Sequence, residues 1–299
     1  MLKLLALALT LVAGVVHADD TLHTDLPLSY LEQTQGDARN EPLVIFLHGF
    51  GSNEEDLFGI KDALPSTWTY LSARAPMPVD PSGYRWFAKK PGDGDYDGET
   101  ADLQRSAKLI EDFVTQATAK YHTQPDRVFL VGFSQGAIMS YEVGLRQPAL
   151  VRGIAALSGS VLPVLKAELK PNGSLDALAI FIGHGTLDQA LPYASATRAN
   201  EVLVGLGLKP EFHGYMGMPH TISEAEIQDL KGWMENSLKQ ARSHIGFVLP
   251  GLSGYLPPVI CFTNAACPFA SSPREIAWIT SKWLPEPPRN VEFRVLPPP

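Results

Sequence analysis

One short motif in this sequence places a serine where it could act as a nucleophile. Gly132-Phe133-Ser134-Gln135-Gly136 follows a short apolar run and leads into a segment with helical spacing. A sharp turn from strand to helix would expose the Ser134 hydroxyl in a strained backbone conformation, and the flanking glycines would avoid collisions with neighbouring elements. We therefore predict that Ser134 attacks a carbonyl carbon. The alternative is a serine that only caps a helix.

Two residues downstream of Ser134 could activate its hydroxyl, because a serine needs an imidazole to take its proton and a carboxylate to orient that imidazole. Asp188 follows the apolar run that ends near residue 183, and His220 lies between the next run and the last amphipathic segment. The chain order serine, acid, histidine is typical of hydrolases whose nucleophile follows a strand in this way. We predict Asp188 as the acid and His220 as the base. For Asp188 the alternative is a turn or cap aspartate.

Other histidines and acids fit these roles less well. His48 and His184 each precede a glycine at the end of an apolar run and come before the required acid, so we expect them to shape loops. His213 falls within a predicted strand, where a packed or surface position is expected. Glu224 and Glu226 come after the histidine that we assign as base, which is the wrong order for the acid.

Acyl transfer also requires donors for the negative charge that develops on the carbonyl oxygen, and backbone N–H groups usually supply them. One such group belongs to the residue after the nucleophile, Gln135. The other is expected in the glycine-containing loop His48-Gly49-Phe50-Gly51, with Phe50 as the donor. We predict an oxyanion hole formed by the main chain of Phe50 and Gln135.

The segments that must position these residues alternate between apolar runs and amphipathic stretches. Strands are predicted over residues 42–47, 67–73, 127–131, 151–157, 178–183 and 209–215, and helices over residues 102–121, 134–147, 192–206 and 223–240, with a further helix capped by Asn53. This alternation predicts a mostly parallel central sheet with helices on both faces. Ser134, Asp188 and His220 each follow a strand, at the carboxyl edge where sites form in such sheets.

Six motifs, taken in order, make the sequence resemble a known family. They are LHGFG at 47–51, RWF at 85–87, GFSQG at 132–136, LSG at 157–159, HGTLD at 184–188 and GMPH at 217–220. Across roughly residues 24–241 they resemble the phospholipase/carboxylesterase family of α/β-hydrolases, which includes bacterial carboxylesterases and acyl-protein thioesterases. The resemblance implies an α/β-hydrolase fold without a large cap domain, no cofactor, and cleavage of short- to medium-chain acyl esters. It also suggests that Trp86 and Phe87 lie near the acyl pocket, the alternative being core aromatics.

The two ends of the chain differ in character from its middle. Residues 1–18 combine Lys3, an apolar stretch and a small residue before the expected cleavage site, which is the layout of a secretory signal peptide. We predict export to the periplasm or exterior, without a stable membrane anchor; the alternative is a buried N-terminal helix. Residues 19–243 are predicted to form the catalytic domain. Residues 244–299 are rich in proline and are expected to be loosely ordered or to pack as a flap, with a possible disulfide between Cys261 and Cys267.

Composition narrows the classes of function. The chain of 299 residues is 45% hydrophobic and 19% charged, and its net charge of −8 argues against a nucleic-acid partner. We predict a serine carboxylesterase that acts on a small-molecule ester through an acyl-enzyme. A thioesterase or a lysophospholipase would use the same residues. A non-catalytic binding scaffold is the alternative from another class.

Overall fold

A mostly parallel sheet of eight strands forms the centre of the described structure. The computed structural model describes residues 17–35, 39–79, 81, 83–91 and 96–245, with side chains described between residues 21 and 240. The sheet strands are β1 (His17–His23), β2 (Tyr30–Thr34), β3 (Leu43–Leu47), β4 (Thr69–Ala73), β7 (Val128–Phe133), β8 (Gly153–Leu157), β9 (Ala179–Gly185) and β10 (Glu211–Tyr215). A separate two-stranded hairpin pairs β5 (Met77–Pro78) with β6 (Tyr84–Arg85).

The order of the strands determines where a site can form. From edge to edge the order is β1-β2-β4-β3-β7-β8-β9-β10; β2 pairs antiparallel with both β1 and β4, and all the other pairs are parallel. The chain leaves β3 for β4 on one side and returns to β7 on the other side. Such a reversal opens a crevice beyond the carboxyl ends of β3 and β7.

Helices cover both faces of this sheet, as the sequence predicts. They are α1 (Thr100–Lys120), α2 (Gln135–Arg146), α3 (Pro163–Glu168), α4 (Ala194–Gly205) and α5 (Glu224–Ile245), with short 3-10 helices at Phe58–Ala63, Pro125–Arg127, Pro148–Leu150 and Gly173–Leu175. On one face α1 and α2 bury residues such as Ile110, Phe113 and Ile138 against the sheet. On the other face α5 and the first 3-10 helix bury Trp233 and Phe58. β3 is completely buried, which explains its continuous apolar sequence.

Most predicted elements are confirmed, with bounds within two residues except at the end of α5. The helix expected after Asn53 is not an α-helix: the Asn53 side chain accepts the N–H of Glu55 at 2.9 Å, and the chain makes a turn before the 3-10 helix. The strands β1, β2, β5 and β6 were not predicted. β1 contains two adjacent aspartates, and β5 and β6 have two residues each. None of these three strands therefore has an apolar run from which a strand could be predicted.

The segment between β8 and β9 contains only the six-residue α3 and one 3-10 helix, so no large cap domain covers the site in the described part of the chain. Among the residues that the structure describes, no helix is long and apolar enough to cross a membrane. The predicted signal peptide is described only at residues 17 and 18, and it stays a prediction. The predicted tail lies outside the described residues apart from 244 and 245, which belong to α5; Cys261 and Cys267 also lie outside them.

Candidate active site

Ser134 lies in a strained turn between β7 and α2. Its backbone has φ 54° and ψ −113°, which an L-residue rarely adopts, and its N–H donates to the Leu157 carbonyl at 2.9 Å. Both flanking glycines are required by space: a Cβ on Gly132 would lie 2.1 Å from the Gly136 carbonyl oxygen, and one on Gly136 would lie 1.9 Å from the Leu47 oxygen. The turn therefore presents the serine hydroxyl at the crevice between β3 and β7.

The structure brings the three predicted triad residues together. His220 Nε2 lies 3.0 Å from Ser134 Oγ, and His220 Nδ1 lies 2.6 Å from Asp188 Oδ2. A carboxylate only accepts, so Nδ1 carries the proton and Nε2 is free to take one from the serine. The ring of Phe133 packs on His220 with a centroid distance of 4.8 Å and helps to fix the imidazole plane. This is the geometry of a serine activated by a histidine and a buried acid.

The loop after β9 holds the Asp188 carboxylate in a fixed orientation. Asp188 is 7% exposed, and its Oδ1 accepts the N–H groups of Ala190 and Leu191, each at 2.9 Å. The other oxygen is left to face His220. Three hydrogen bonds thus orient this buried carboxylate toward the imidazole that it would stabilise as an imidazolium.

A second histidine, His184, also approaches Asp188, but it cannot reach the serine side of the site. His184 is fully buried, its Nε2 donates to the Leu191 carbonyl at 2.8 Å, and the same atom lies 3.3 Å from Asp188 Oδ2. Burial lowers the pKa of its imidazole, which keeps it neutral. The expectation that His184 shapes a loop agrees with these contacts.

The loop after β3 lies against the nucleophile. A Cβ on Gly49 would come within 3.4 Å of Ser134 Cβ, and the next residue, Phe50, is 57% exposed. The Phe50 N–H has no protein acceptor among the described residues, and the Gln135 N–H belongs to the first turn of α2, where helix donors lack intrahelical partners. Both groups are therefore available to a substrate oxyanion, although their role stays a prediction.

His48 holds this predicted oxyanion loop in place, whereas the sequence indicated only that it shapes a loop. The Ala75 N–H donates to His48 Nε2 at 3.0 Å, and His48 Nδ1 donates to the Gly49 carbonyl at 2.7 Å. The imidazole is fully buried, and its burial lowers the pKa. His48 thus ties the loop to the end of β4 as a neutral group.

The structure places Trp86 and Phe87 in the core. Both side chains are fully buried beneath the loop after β3, and their contact with an acyl chain stays a prediction. The Trp86 indole instead donates to the His48 carbonyl at 2.9 Å. The buried Gln135 side chain accepts the Trp86 N–H at 3.0 Å and donates to the Phe87 carbonyl at 2.9 Å. These residues support the oxyanion loop and α2, the core alternative that the sequence left open.

The remaining candidates lie away from the nucleophile. His213 is half-buried in β10, where it stacks on Phe181 with a centroid distance of 5.1 Å. Glu226 is fully buried on α5 and takes no part in the triad. Within the described ranges, no group of three or more His, Cys, Asp or Glu side chains is placed to hold a metal ion.

A mostly parallel sheet with a strained serine after β7, followed in chain order by an acid and a histidine at strand ends, defines an α/β-hydrolase. The model of the phospholipase/carboxylesterase family matches residues 29–238, and the chain belongs to that family. It is accordingly a hydrolase of the esterase or thioesterase type.

Individual relatives carry both kinds of activity in their names. Acyl-protein thioesterase 1 of Cryptococcus neoformans is 29% identical over 222 residues, which cover 66% of this chain and 92% of that protein. A probable carboxylesterase of Oryza sativa is 25% identical, and the match covers 69% of this chain and 81% of that protein. The crystal structure of esterase PE8 is 28% identical with a TM-score of 0.59, covering 70% of this chain and 98% of that one. The Bacillus cereus carboxylesterase, 21% identical with a TM-score of 0.61 and covering 70% and 94%, is similar in fold.

Proposed function

We propose that this protein is a carboxylesterase that hydrolyses short- to medium-chain acyl esters of small molecules. The observation that carries the proposal is the continuous line of contacts from Ser134 Oγ through His220 to Asp188, at 3.0 Å and 2.6 Å. The serine itself lies at the carboxyl edge of the sheet in a strained turn, which is where a nucleophile in this fold is exposed.

The proposed reaction has two steps. Ser134 attacks the ester carbonyl while His220 Nε2 takes the hydroxyl proton, and Asp188 stabilises the resulting imidazolium. The N–H groups of Phe50 and Gln135 receive the oxyanion, and His220 returns the proton to the leaving alcohol. Water then repeats the sequence on the acyl-enzyme and releases the acid. No step requires a metal or a cofactor.

The site is open, which favours small substrates. The Ser134 and His220 side chains are both partly exposed, and the short 158–178 connection contains only α3 and one 3-10 helix. A long-chain triglyceride would need a more extended apolar surface than this connection supplies. We therefore expect activity to fall as the acyl chain lengthens.

The direct test is hydrolysis of p-nitrophenyl acetate, butyrate, octanoate and palmitate by the wild type and by Ser134→Ala. We expect the short chains to be preferred and kcat to fall by about 10⁴–10⁶ in the variant. Ser140→Ala is the matched control, because Ser140 lies in α2, the helix that follows Ser134, and its hydroxyl donates to the Gly136 carbonyl. Failure of the wild type to hydrolyse any ester or to react with a phosphonofluoridate would favour the binding-scaffold alternative.

Thioester hydrolysis is the second candidate, because several relatives between 25% and 29% identical are named acyl-protein thioesterases. The same serine chemistry applies to both substrates, and only the leaving atom differs. Comparing kcat/KM for an oxygen ester and a thioester of the same acyl group and a similar apolar leaving group separates the two. A preference for the thioester above about tenfold would replace the carboxylesterase assignment.

A further inference from the structure

Large apolar side chains are exposed mainly around the site. In the part of the chain that the structure describes, four large hydrophobic residues are prominently exposed: Phe50 at 57%, Leu187 at 62%, Met216 at 90% and Val204 at 55%. The first three lie on the strand-end loops that carry the oxyanion donor, the acid and the histidine. Val204 lies on α4, outside these loops. Such clustering at one place is more informative than exposed apolar residues scattered singly.

Leu187 and Met216 belong to two loops that are hydrogen-bonded into one surface. The Leu187 N–H donates to the Met218 carbonyl at 3.0 Å, and the Thr186 N–H donates to the Tyr215 carbonyl at 3.0 Å. Thr186 Oγ1 also accepts the Gly217 N–H at 2.8 Å. Leu187 is next to Asp188 in sequence, and Met218 is two residues before His220. The backbone segments that carry these two apolar side chains are therefore held together, close in sequence to Asp188 and His220.

The reaction determines which part of a substrate meets this surface. His220 must give its proton to the leaving oxygen, so the leaving group lies over His220 Nε2, on the side of the acid and histidine loops. The oxyanion points the other way, toward Phe50 and Gln135. Leu187 and Met216 consequently adjoin the alcohol part of an ester and lie away from the oxyanion side.

The charges of the same two loops exclude a class of leaving group. Segments 185–193 and 214–223 contain no lysine or arginine, and their one charged residue, Asp188, is buried and paired with His220. A phosphate or carboxylate on the leaving group would find no cation there, and binding of such groups in proteins commonly relies on Arg, Lys or a free helix N-terminus. An apolar alcohol would instead remove part of the Leu187 and Met216 side chains from water.

We propose that Leu187 and Met216 form a leaving-group subsite that selects esters of uncharged, apolar alcohols over esters of phosphorylated or otherwise anionic alcohols. The proposal rests on the carboxylesterase function and narrows its substrate class. It places lysophospholipids, whose leaving group carries a phosphate, and thioesters of nucleotide-bearing thiols among the poor substrates.

The test uses butyrate esters that share one acyl group: benzyl butyrate, methyl butyrate and the butyrate ester of 3-hydroxypropyl phosphate. All three form the same butyryl-enzyme, so differences in kcat/KM report the step in which the leaving group is bound. Release of butyric acid is followed by titration at constant pH, below the solubility limit of each ester. We expect benzyl butyrate to exceed the phosphate ester by at least about tenfold.

Variants connect this preference to the two side chains. In Leu187→Ser/Met216→Ser we expect kcat/KM for benzyl butyrate to fall by about tenfold and that for methyl butyrate to change little. Met216→Lys should raise kcat/KM for the phosphate ester, because it supplies the missing cation on a fully solvated side chain. Val204→Ser is the matched control, because it removes a comparably exposed apolar residue from α4. It should leave kcat/KM unchanged for benzyl butyrate and for the phosphate ester.

The possible outcomes distinguish a failure of the subsite proposal from a failure of the proposed esterase function. Equal kcat/KM for the benzyl and phosphate esters in the wild type, or a benzyl preference unchanged in the double variant, would overturn the subsite and leave the esterase intact. Absence of turnover with all three esters and with p-nitrophenyl butyrate would overturn the proposed function, and the subsite with it.

Discussion

Two buried carboxylates near the carboxyl end of β9 differ in almost every contact that they make. Asp188, in the loop after this strand, is 7% exposed and accepts hydrogen bonds from Ala190, Leu191 and His220. Glu226, on the first turn of α5, is fully buried over Gly183, and neither of its oxygens has a hydrogen-bond partner among the described residues. The two groups thus have similar burial and opposite hydrogen bonding.

The difference teaches that burial leaves an acid of this protein uncharged where no hydrogen-bond donor satisfies its oxygens, as at Glu226. Burial raises the pKa of Glu226 to about 8, with a smaller contribution in the same direction from the neighbouring Asp229, and the backbone of Ser223 acts in the opposite direction. Glu226 is consequently protonated at neutral pH, whereas the donors around Asp188 are arranged for a carboxylate. A protonated acid cannot serve as the orienting anion of a triad.

The largest effect that would test this comparison is expected from Asp188→Asn. An amide at this position cannot stabilise the imidazolium and favours the wrong histidine tautomer, so kcat for p-nitrophenyl butyrate should fall by about 10⁴. Glu226→Gln, measured at pH 6, should retain kcat within a few-fold, because the amide replaces an acid that is already neutral. A loss of kcat of similar size in both variants would contradict the different roles that we assign to the two carboxylates.

The second effect concerns stability, and its sign follows from the direction of the Glu226 shift. The folded-state pKa of about 8 lies above the ordinary value of 4.5, so the folded chain retains a proton that the unfolded chain has released between these values. The contribution of Glu226 to the free energy of unfolding is complete below about pH 4.5 and is lost as the pH rises to 8. The loss amounts to roughly 3–5 kcal/mol.

Glu226→Gln should remove that pH dependence. Urea unfolding at pH 5 and pH 9 should show a smaller difference in the free energy of unfolding for the variant than for the wild type, and the variant should be the more stable protein at pH 9. Asp229→Asn is a useful companion, because it removes the nearby charge that raises the Glu226 pKa and should preserve part of the wild-type stability at alkaline pH. Parallel pH profiles for the wild type and Glu226→Gln would refute the idea.

Asp188 could be predicted from the sequence, but the state of Glu226 could not. The predicted acid follows a buried strand and precedes the histidine, and both features are visible in the order of apolar runs and polar residues. Glu226 could be excluded as the acid by its position, yet its burial depends on how α5 packs against β9. A Cβ on Gly183 would lie 2.1 Å from Glu226 Oε1, so this contact depends on two segments that are 43 residues apart.

The sheet and the position of Ser134 in its sharp turn could be predicted from the sequence for the same reason, whereas the contacts beneath the loop after β3 could not. The glycines around Ser134 are a local requirement of one sharp turn, and the parallel strands are continuous apolar runs. Trp86 and Gln135 are joined by one hydrogen bond between residues 49 positions apart. A motif containing two aromatic residues indicates an apolar environment, but it does not reveal whether they contact a substrate or the protein itself.

The smallest of the expected effects comes from removing the hydrogen-bond donor of the buried His48 carbonyl, which would then lack a partner as the Glu226 carboxyl does. Trp86→Phe keeps the aromatic ring but removes the donor that satisfies the buried His48 carbonyl, which should cost about 1–3 kcal/mol of stability. Because that carbonyl belongs to the oxyanion loop, we expect kcat for p-nitrophenyl butyrate to fall by about tenfold with little change in KM.

The matched control is Trp233→Phe, which removes a similar volume from a buried tryptophan in the core on the other face of the sheet. It should lower the midpoint of urea unfolding and leave kcat unchanged, because Trp233 packs on Phe129 and Phe181 away from the oxyanion loop. If both variants lowered kcat equally, the Trp86 effect would reflect general loosening of the core. A loss of kcat confined to Trp86→Phe would mean that the indole hydrogen bond holds the Phe50 N–H in place, and that in this site a satisfied buried carbonyl is a requirement of catalysis as well as of stability.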